Sequence, residues 1–253
     1  MSTDELFIGV FCIVDAELGA VKKHVQSKLH PSEVVTLMLF FSMKGGQYRA
    51  FYRWILFNHR RFFPHMPHYS RLLRQFRTHA HLCERFLAST TCLSSIDTYG
   101  IELIHPRREG RSKQPLGRKG ISNGRWIVGI KWAVLINQRG EIVNWCWDTA
   151  NEHDNTFREL ALAYKDEMIA FSDLGFRKQD HHPENFHYCQ KGEWNDRYLI
   201  ETMFSWFTQK FHTKKIYHRV DTYLEMRLGA LAAVFNILFK MNDYTYSMTW
   251  FEL

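Results

Sequence analysis

The chain has 253 residues, 45% hydrophobic and 23% charged, a globular composition that excludes wholesale disorder and suits one large domain or a small plus a medium one. No apolar run approaches the ~18 residues of a membrane span, and the best candidate, residues 34–43, reads as a buried helix. The net charge of +7 is unevenly spread: residues 1–90 hold 12 Lys and Arg against 6 Asp and Glu, residues 104–125 hold 7 against 1, and residues 126–202 hold 8 against 13. A basic shell suits a polyanion, because Lys and Arg at phosphates release counterions. An acidic pocket within it suits divalent cations.

The first ninety residues read as helical. Residues 4–18 are mostly apolar. His30-Pro31-Ser32-Glu33 opens the next helix, with Ser32 as the expected N-cap, and Gly45-Gly46 ends it. An aromatic-rich stretch covers 47–58, and Pro64 and Pro67 mark a loop. Ser70 is the expected cap of a helix reaching about residue 88. After Cys92 the pattern changes. Residues 93–103 read as a strand, and 105–124 as a loop rich in Arg, Lys and Gly. Residues 126–136 and 141–147 form a hairpin around Asn137-Gln138-Arg139-Gly140. A helix is expected over 151–164, a short buried strand over 168–172, an irregular segment, then helices over 194–211 and 222–240. This order predicts an α/β fold: an RNase H-like domain over 91–253, with a mixed β-sheet and flanking helices, preceded by an all-helical domain over 1–90.

Five cysteines (Cys12, Cys83, Cys92, Cys146, Cys189) are odd in number and form no CxxC pair, so they read as reduced thiols. His79, His81 and Cys83, or His187 and Cys189, make no complete zinc set. The start MSTDELF lacks a basic stretch and a small-residue cleavage site, which gives a cytoplasmic protein as the expectation.

Three carboxylates stand out. Asp97 lies inside the first strand, Asp173 just past the short buried strand, and Glu201 in the late helix. A charge inside an otherwise small and apolar strand is costly unless it is paired or metal-bound. Two divalent ions about 4 Å apart can clamp the attacking and leaving oxygens of an in-line phosphoryl transfer, and carboxylates are their hard-oxygen ligands. The competing reading has Asp173 as a cap or loop residue and Glu201 on a solvated helix face. Asp154 reads as an ordinary helix N-cap. Glu102 has the wrong strand parity to join Asp97. Trp126, Trp132, Trp145 and Trp147 read as core or sheet surface rather than base-stacking platforms.

At these residues the chain resembles the DDE transposases of bacterial insertion sequences, most of all the IS982 family. Ser95-Ile96-Asp97-Thr98 resembles the first-aspartate strand, and GRWIVGIKWAVLINQRGEIVNWCWDTANEHD resembles the family hairpin. Ser172-Asp173-Leu174-Gly175-Phe176 stands where the family has D-K-G-Y, and Arg197-Tyr198-Leu199-Ile200-Glu201-Thr202 matches R-x-x-I-E-T. The usual Lys after the second aspartate is Leu174. In the broader Y-x2-R-x3-E-x6-K signature, Trp194 replaces Tyr and Thr208 replaces Lys, with Lys210 as the nearest substitute. The resemblance implies an RNase H-like fold, catalytic and metal-holding Asp97, Asp173 and Glu201, and Mg²⁺ or Mn²⁺ as cofactor, two ions in number. It implies double-stranded DNA as partner, at terminal inverted repeats and target DNA, and a homodimer on paired ends. The reaction implied is DNA cleavage followed by strand joining. A catalytically inactive or repurposed DNA-binding protein and a non-transposing RNase H-fold nuclease are the alternatives.

The expected DNA contacts follow the charge. Arg71, Arg74 and Arg77 fall at i, i+3 and i+6 on one side of a helix, as a DNA-facing surface or a solvated one. The basic loop contributes Arg107, Arg108, Arg111, Lys113, Arg118, Lys119 and Arg125, and is expected to order on phosphates. Lys131 lies mid-hairpin. Arg197, one turn before Glu201, either meets a phosphate or forms an i,i+4 ion pair. Lys210 completes the set.

Overall fold

The computed structural model describes residues 1–111, 116–122, 124–178, 183–190 and 198–246. Its α-helices are α1 (Thr3–Leu18), α2 (Pro31–Lys44), α3 (Tyr48–Asn58), α4 (Tyr69–His79), α5 (Arg158–Leu162), α6 (Tyr198–Gln209) and α7 (Asp221–Met241). Its strands are β1 (Leu93–Ile104), β2 (Arg118–Ser122), β3 (Arg125–Asn137), β4 (Ile142–Thr149), β5 (Ile169–Ser172) and β6 (Phe186–Tyr188). Two compact units result. One comprises Met1–Phe86, Lys210–His212 and Val220–Leu253; the other comprises Leu87–Gln209 and Thr213–Arg219.

The first unit is built from helices. α1 starts on a capping box: the Ser2 hydroxyl accepts from the Glu5 N–H, and the Glu5 carboxylate accepts from the Ser2 N–H at 2.7 Å. α2 begins two residues earlier than expected. His30 is its N-cap, Pro31 supplies the first turn, and the Glu33 carboxylate accepts the His30 N–H at 2.6 Å. Ser32 is therefore a buried helical residue, not the cap. α4 likewise starts after His68 rather than Ser70, and ends at His79; a 3-10 segment, Ala80–Phe86, continues it. The two compact units divide the chain otherwise than at residues 1–90 and 91–253. α7 is apolar nearly all round, with Leu224, Leu228, Leu231, Phe235 and Leu238 fully buried, and such a helix belongs inside a helical core. It joins the first unit, where Asn236 donates to the Phe86 carbonyl at 2.9 Å. α7 has the length and apolarity of a membrane span, but 83% of that stretch is buried within the fold, as in a core helix.

The second unit is a mixed six-stranded sheet with flanking helices, ordered β2–β3–β1–β5–β6, with β4 also paired to β3. β3 is long enough to take two partners along one edge: Arg125–Gly129 meets β2 and Ile130–Ile136 meets β4. β1 is antiparallel to β3 and parallel to β5, and β6 is parallel to β5. The β3–β4 turn is held by the Asn137 side chain, whose Oδ1 accepts from the Arg139 and Glu141 N–H groups at 3.0 Å each.

Ile96, Leu135, Phe157, Leu160, Met168 and Phe176 form the core on one face of the sheet. On the other, the Trp132 ring meets Phe207 of α6 edge-on at 4.9 Å, and Tyr99 meets Phe204 at 5.0 Å.

Three expectations change here. The stretch 105–124 is not all loop. It holds a 3-10 turn, Pro106–Arg108, and strand β2, whose Gly120 lies so close to β4's exit that an added Cβ would stand 1.8 Å from the Ala150 carbonyl oxygen. The helix over 151–164 shrinks to a 3-10 turn, Asp154–Phe157, and α5. The irregular segment contains β6. α6 is described from Tyr198, so residues 194–197 of the expected helix lie outside the described residues.

Candidate active site

β1 and β5 run parallel and in register as far as Ser95 beside Phe171. Two residues further along each chain come Asp97 and Asp173. Asp173 keeps an extended backbone (φ −80°, ψ 176°), so the period of two sends both side chains to the same side as that pair. Beyond this point β5 gives way to a 3-10 turn, Leu174–Phe176, and the gap between the diverging chains opens as a cleft of about 530 Å³. Asp97 and Asp173 line it. α6 contributes Glu201, Phe204, Ser205 and Thr208, one helical stripe at i, i+3, i+4 and i+7. The three carboxylates expected from the sequence thus share one cleft.

A fourth joins them. Asp154 lines the same cleft and makes no side-chain cap for the turn it begins, which corrects its reading as an N-cap; His153 holds the cap position instead. Its Oδ1 accepts from the Thr98 hydroxyl at 2.8 Å and from the Lys131 ammonium at 2.9 Å. Lys131 also donates to the Glu152 carbonyl at 2.7 Å, and its side chain is only 12% exposed. Expected to reach DNA, Lys131 is engaged inside the cleft. Asp173 and Asp154 both crowd Gly175: a Cβ there would stand 3.0 Å from Asp173 Oδ1 and 3.3 Å from Asp154 Oδ2. Asp97 Oδ1 accepts the Thr98 N–H at 2.7 Å, and Asp173 Oδ1 accepts the Gly175 N–H at 2.9 Å.

The rim is polar as well. The Tyr99 hydroxyl lies 2.8 Å from the Thr208 hydroxyl and accepts from Thr213 at 3.1 Å; burial pushes its ionisation upward, so it stays a neutral hydroxyl. Lys214 sits over the Tyr99 ring with its ammonium 4.3 Å from the centroid. Desolvation, then the nearby Arg125 charge, hold its pKa below the usual lysine range. Among the described residues, the lining holds four carboxylates against two ammoniums, with no thiol or imidazole. Among the described residues, no three His, Cys, Asp or Glu side chains are gathered tightly enough, as they stand, to hold one metal ion.

The remaining predicted contacts divide. Arg108, Arg118 and Lys119 border a second cavity of about 440 Å³, where Lys119 lies 3.9 Å from Glu109. Arg107, Arg111 and Arg125 are exposed. Lys113 and Arg197 lie outside the described residues. Arg71, Arg74 and Arg77 are exposed on α4 opposite buried Leu72 and Phe76, and Arg71 donates to the Gln26 carbonyl at 2.6 Å. Lys210 is half-buried in the first unit; among the described residues the lysines at the cleft are Lys131 and Lys214, and Thr208 itself reaches the lining. Glu102, set aside on parity, pairs with Lys215. Lys131 was open to detection from the sequence as an ionisable residue in a long apolar strand, whereas Lys214 carried no such signal.

No protein-family model matches the chain, and no curated protein shows significant similarity to it.

Proposed function

We propose that the chain is an RNase H-like, metal-dependent DNA nuclease and strand transferase of the transposase type. The observation that carries this reading is the placement of Asp97 and Asp173 at the parting of two in-register parallel strands, in one cleft with Glu201. The sheet supports it: an antiparallel β1–β3–β4 meander followed by two strands parallel to the first is the strand pattern expected of that fold. Its partner is double-stranded DNA and its setting the cytoplasm.

The donor set fits Mg²⁺ or Mn²⁺, being carboxylate oxygen with an excess of negative charge. Asp97, Asp173 and Glu201 would hold the ions, which when bound supply charge stabilisation at the attacking and leaving oxygens of an in-line displacement. Lys131 fixes Asp154 at the cleft wall, and Lys214 at the rim offers a cation to a scissile-strand phosphate. Tyr99 and Thr208 set the cleft's edge through their shared hydrogen bond.

A DNA-binding protein of the same descent without catalysis is the second reading. It needs no more than the exposed cations Arg118, Lys119 and Arg125, which suit DNA with or without cleavage. One experiment separates the two. With Mg²⁺ or Mn²⁺ and supercoiled DNA, the intact protein should nick, and Asp97→Asn or Asp173→Asn should lower the rate by about 10³-fold or more while leaving DNA binding near normal. DNA binding with no metal-dependent nicking by the intact protein would establish the second reading.

A further inference from the structure

β2 and β3 form a short ribbon whose outer surface is chemically unusual. Trp126 is 59% exposed and its directly opposed partner Ile121 is 52% exposed. Large apolar side chains paired in the open on a sheet gain little from burial. One cation shares their face, the Lys119 ammonium, 5.1 Å from the Trp126 ring centre; Arg118 and Arg125, exposed on the same two strands, alternate to the other face. The ribbon is also fixed in place, since the Gly120 backbone is pressed against the Ala150 carbonyl. Its apolar surface adjoins the carboxylate cleft, because Ile121 and its neighbour Ser122 belong to the cleft lining.

We infer that Trp126, backed by Ile121, is a stacking platform for an unpaired nucleobase of a DNA strand entering the cleft. This rests on the DNA reading above. Exposed cations call for a polyanion, and an exposed indole calls for a flat π face. Single-stranded nucleic acid offers both at nucleotide spacing, whereas a duplex keeps its base faces inside the stack. The platform therefore acts on a strand opened next to the scissile phosphate.

The test titrates a labelled single-stranded oligodeoxynucleotide, and the blunt duplex of the same sequence, into the full-length protein. Wild type, Trp126→Ala, Trp126→Tyr and Arg118→Ala are compared. Trp126→Ala should weaken single-strand binding about five-fold or more, Trp126→Tyr should recover most of it, and duplex affinity should change by less than about two-fold. Trp126 is exposed, so unchanged thermal melting verifies that the variants fold. Equal loss on both DNAs, no loss on either, or no recovery by Tyr overturns the platform. If Trp126→Ala has no effect while Arg118→Ala weakens both DNAs, the platform falls and the DNA reading stands. If the wild type binds neither DNA, both fall.

Discussion

The carboxylate cleft and the β2–β3 ribbon adjoin in the same unit and handle charge in opposite ways. In the cleft, Asp154 is bound to Lys131 and Thr98, and part of the negative charge is neutralised within the fold. On the ribbon, Arg118, Lys119 and Arg125 stand in solvent, and among the described residues the long Lys119–Glu109 pair is their one ion pair. Internal pairing in a low-dielectric site fixes geometry and resists salt; exposed charge contributes little to stability and remains available to a partner. Position is maintained by chemistry in the cleft and by backbone contact in the ribbon.

Three variants test that contrast. Gly120→Ala should have the largest effect, because its Cβ meets a backbone carbonyl that cannot rotate away. A loss of roughly 3 kcal/mol, read by chemical denaturation, is expected; near-wild-type stability would mean the ribbon is free to shift. Asp154→Asn leaves the largely buried Lys131 ammonium without its counter-charge, and should cost about 1–3 kcal/mol in the same assay. It should also reduce nicking, and a fully active, equally stable variant would make Asp154 a bystander. Replacing Arg118, Lys119 and Arg125 together with Ala should leave stability within about 0.5 kcal/mol. The readout is then duplex binding over a salt series, where the slope of log affinity against log salt should fall by about 2–3. An unchanged slope would take these cations out of the interface.

What the sequence made legible follows the range of the interactions. Asp97 was visible because a charge inside an otherwise small and apolar strand is a local anomaly, and Asp173 because it follows a short buried strand in a stretch that resembles the family motif. The β3–β4 hairpin was visible because Asn137 and Gly140 announce a turn. β2 was missed because Arg118-Lys119-Gly120-Ile121-Ser122 has no apolar alternation, and its strand state comes from pairing with the first five residues of β3. β6 is three residues long and exists only beside β5. Asp154 was misassigned because its partner, Lys131, lies 23 residues away, and an Asp before a turn looks locally like a cap. The α2 start was readable but misread: Pro31 at the first helical position and Glu33 two residues on mark His30 as the cap.

The helical unit draws on both ends of the chain. α1–α4 come from its first third, and α7, which buries its apolar circumference among them, comes from its last. As the chain emerges from a ribosome, the earliest helices must therefore wait, with Phe41, which will stack under Arg227, and the Phe86 carbonyl, which will receive Asn236, both lacking their partners until α7 has been made. The sheet, whose residues all lie between these two halves, can form first. A nonsense codon just before Asp221 would leave the strands and the carboxylate cleft encoded, yet strip the helical unit of its central helix.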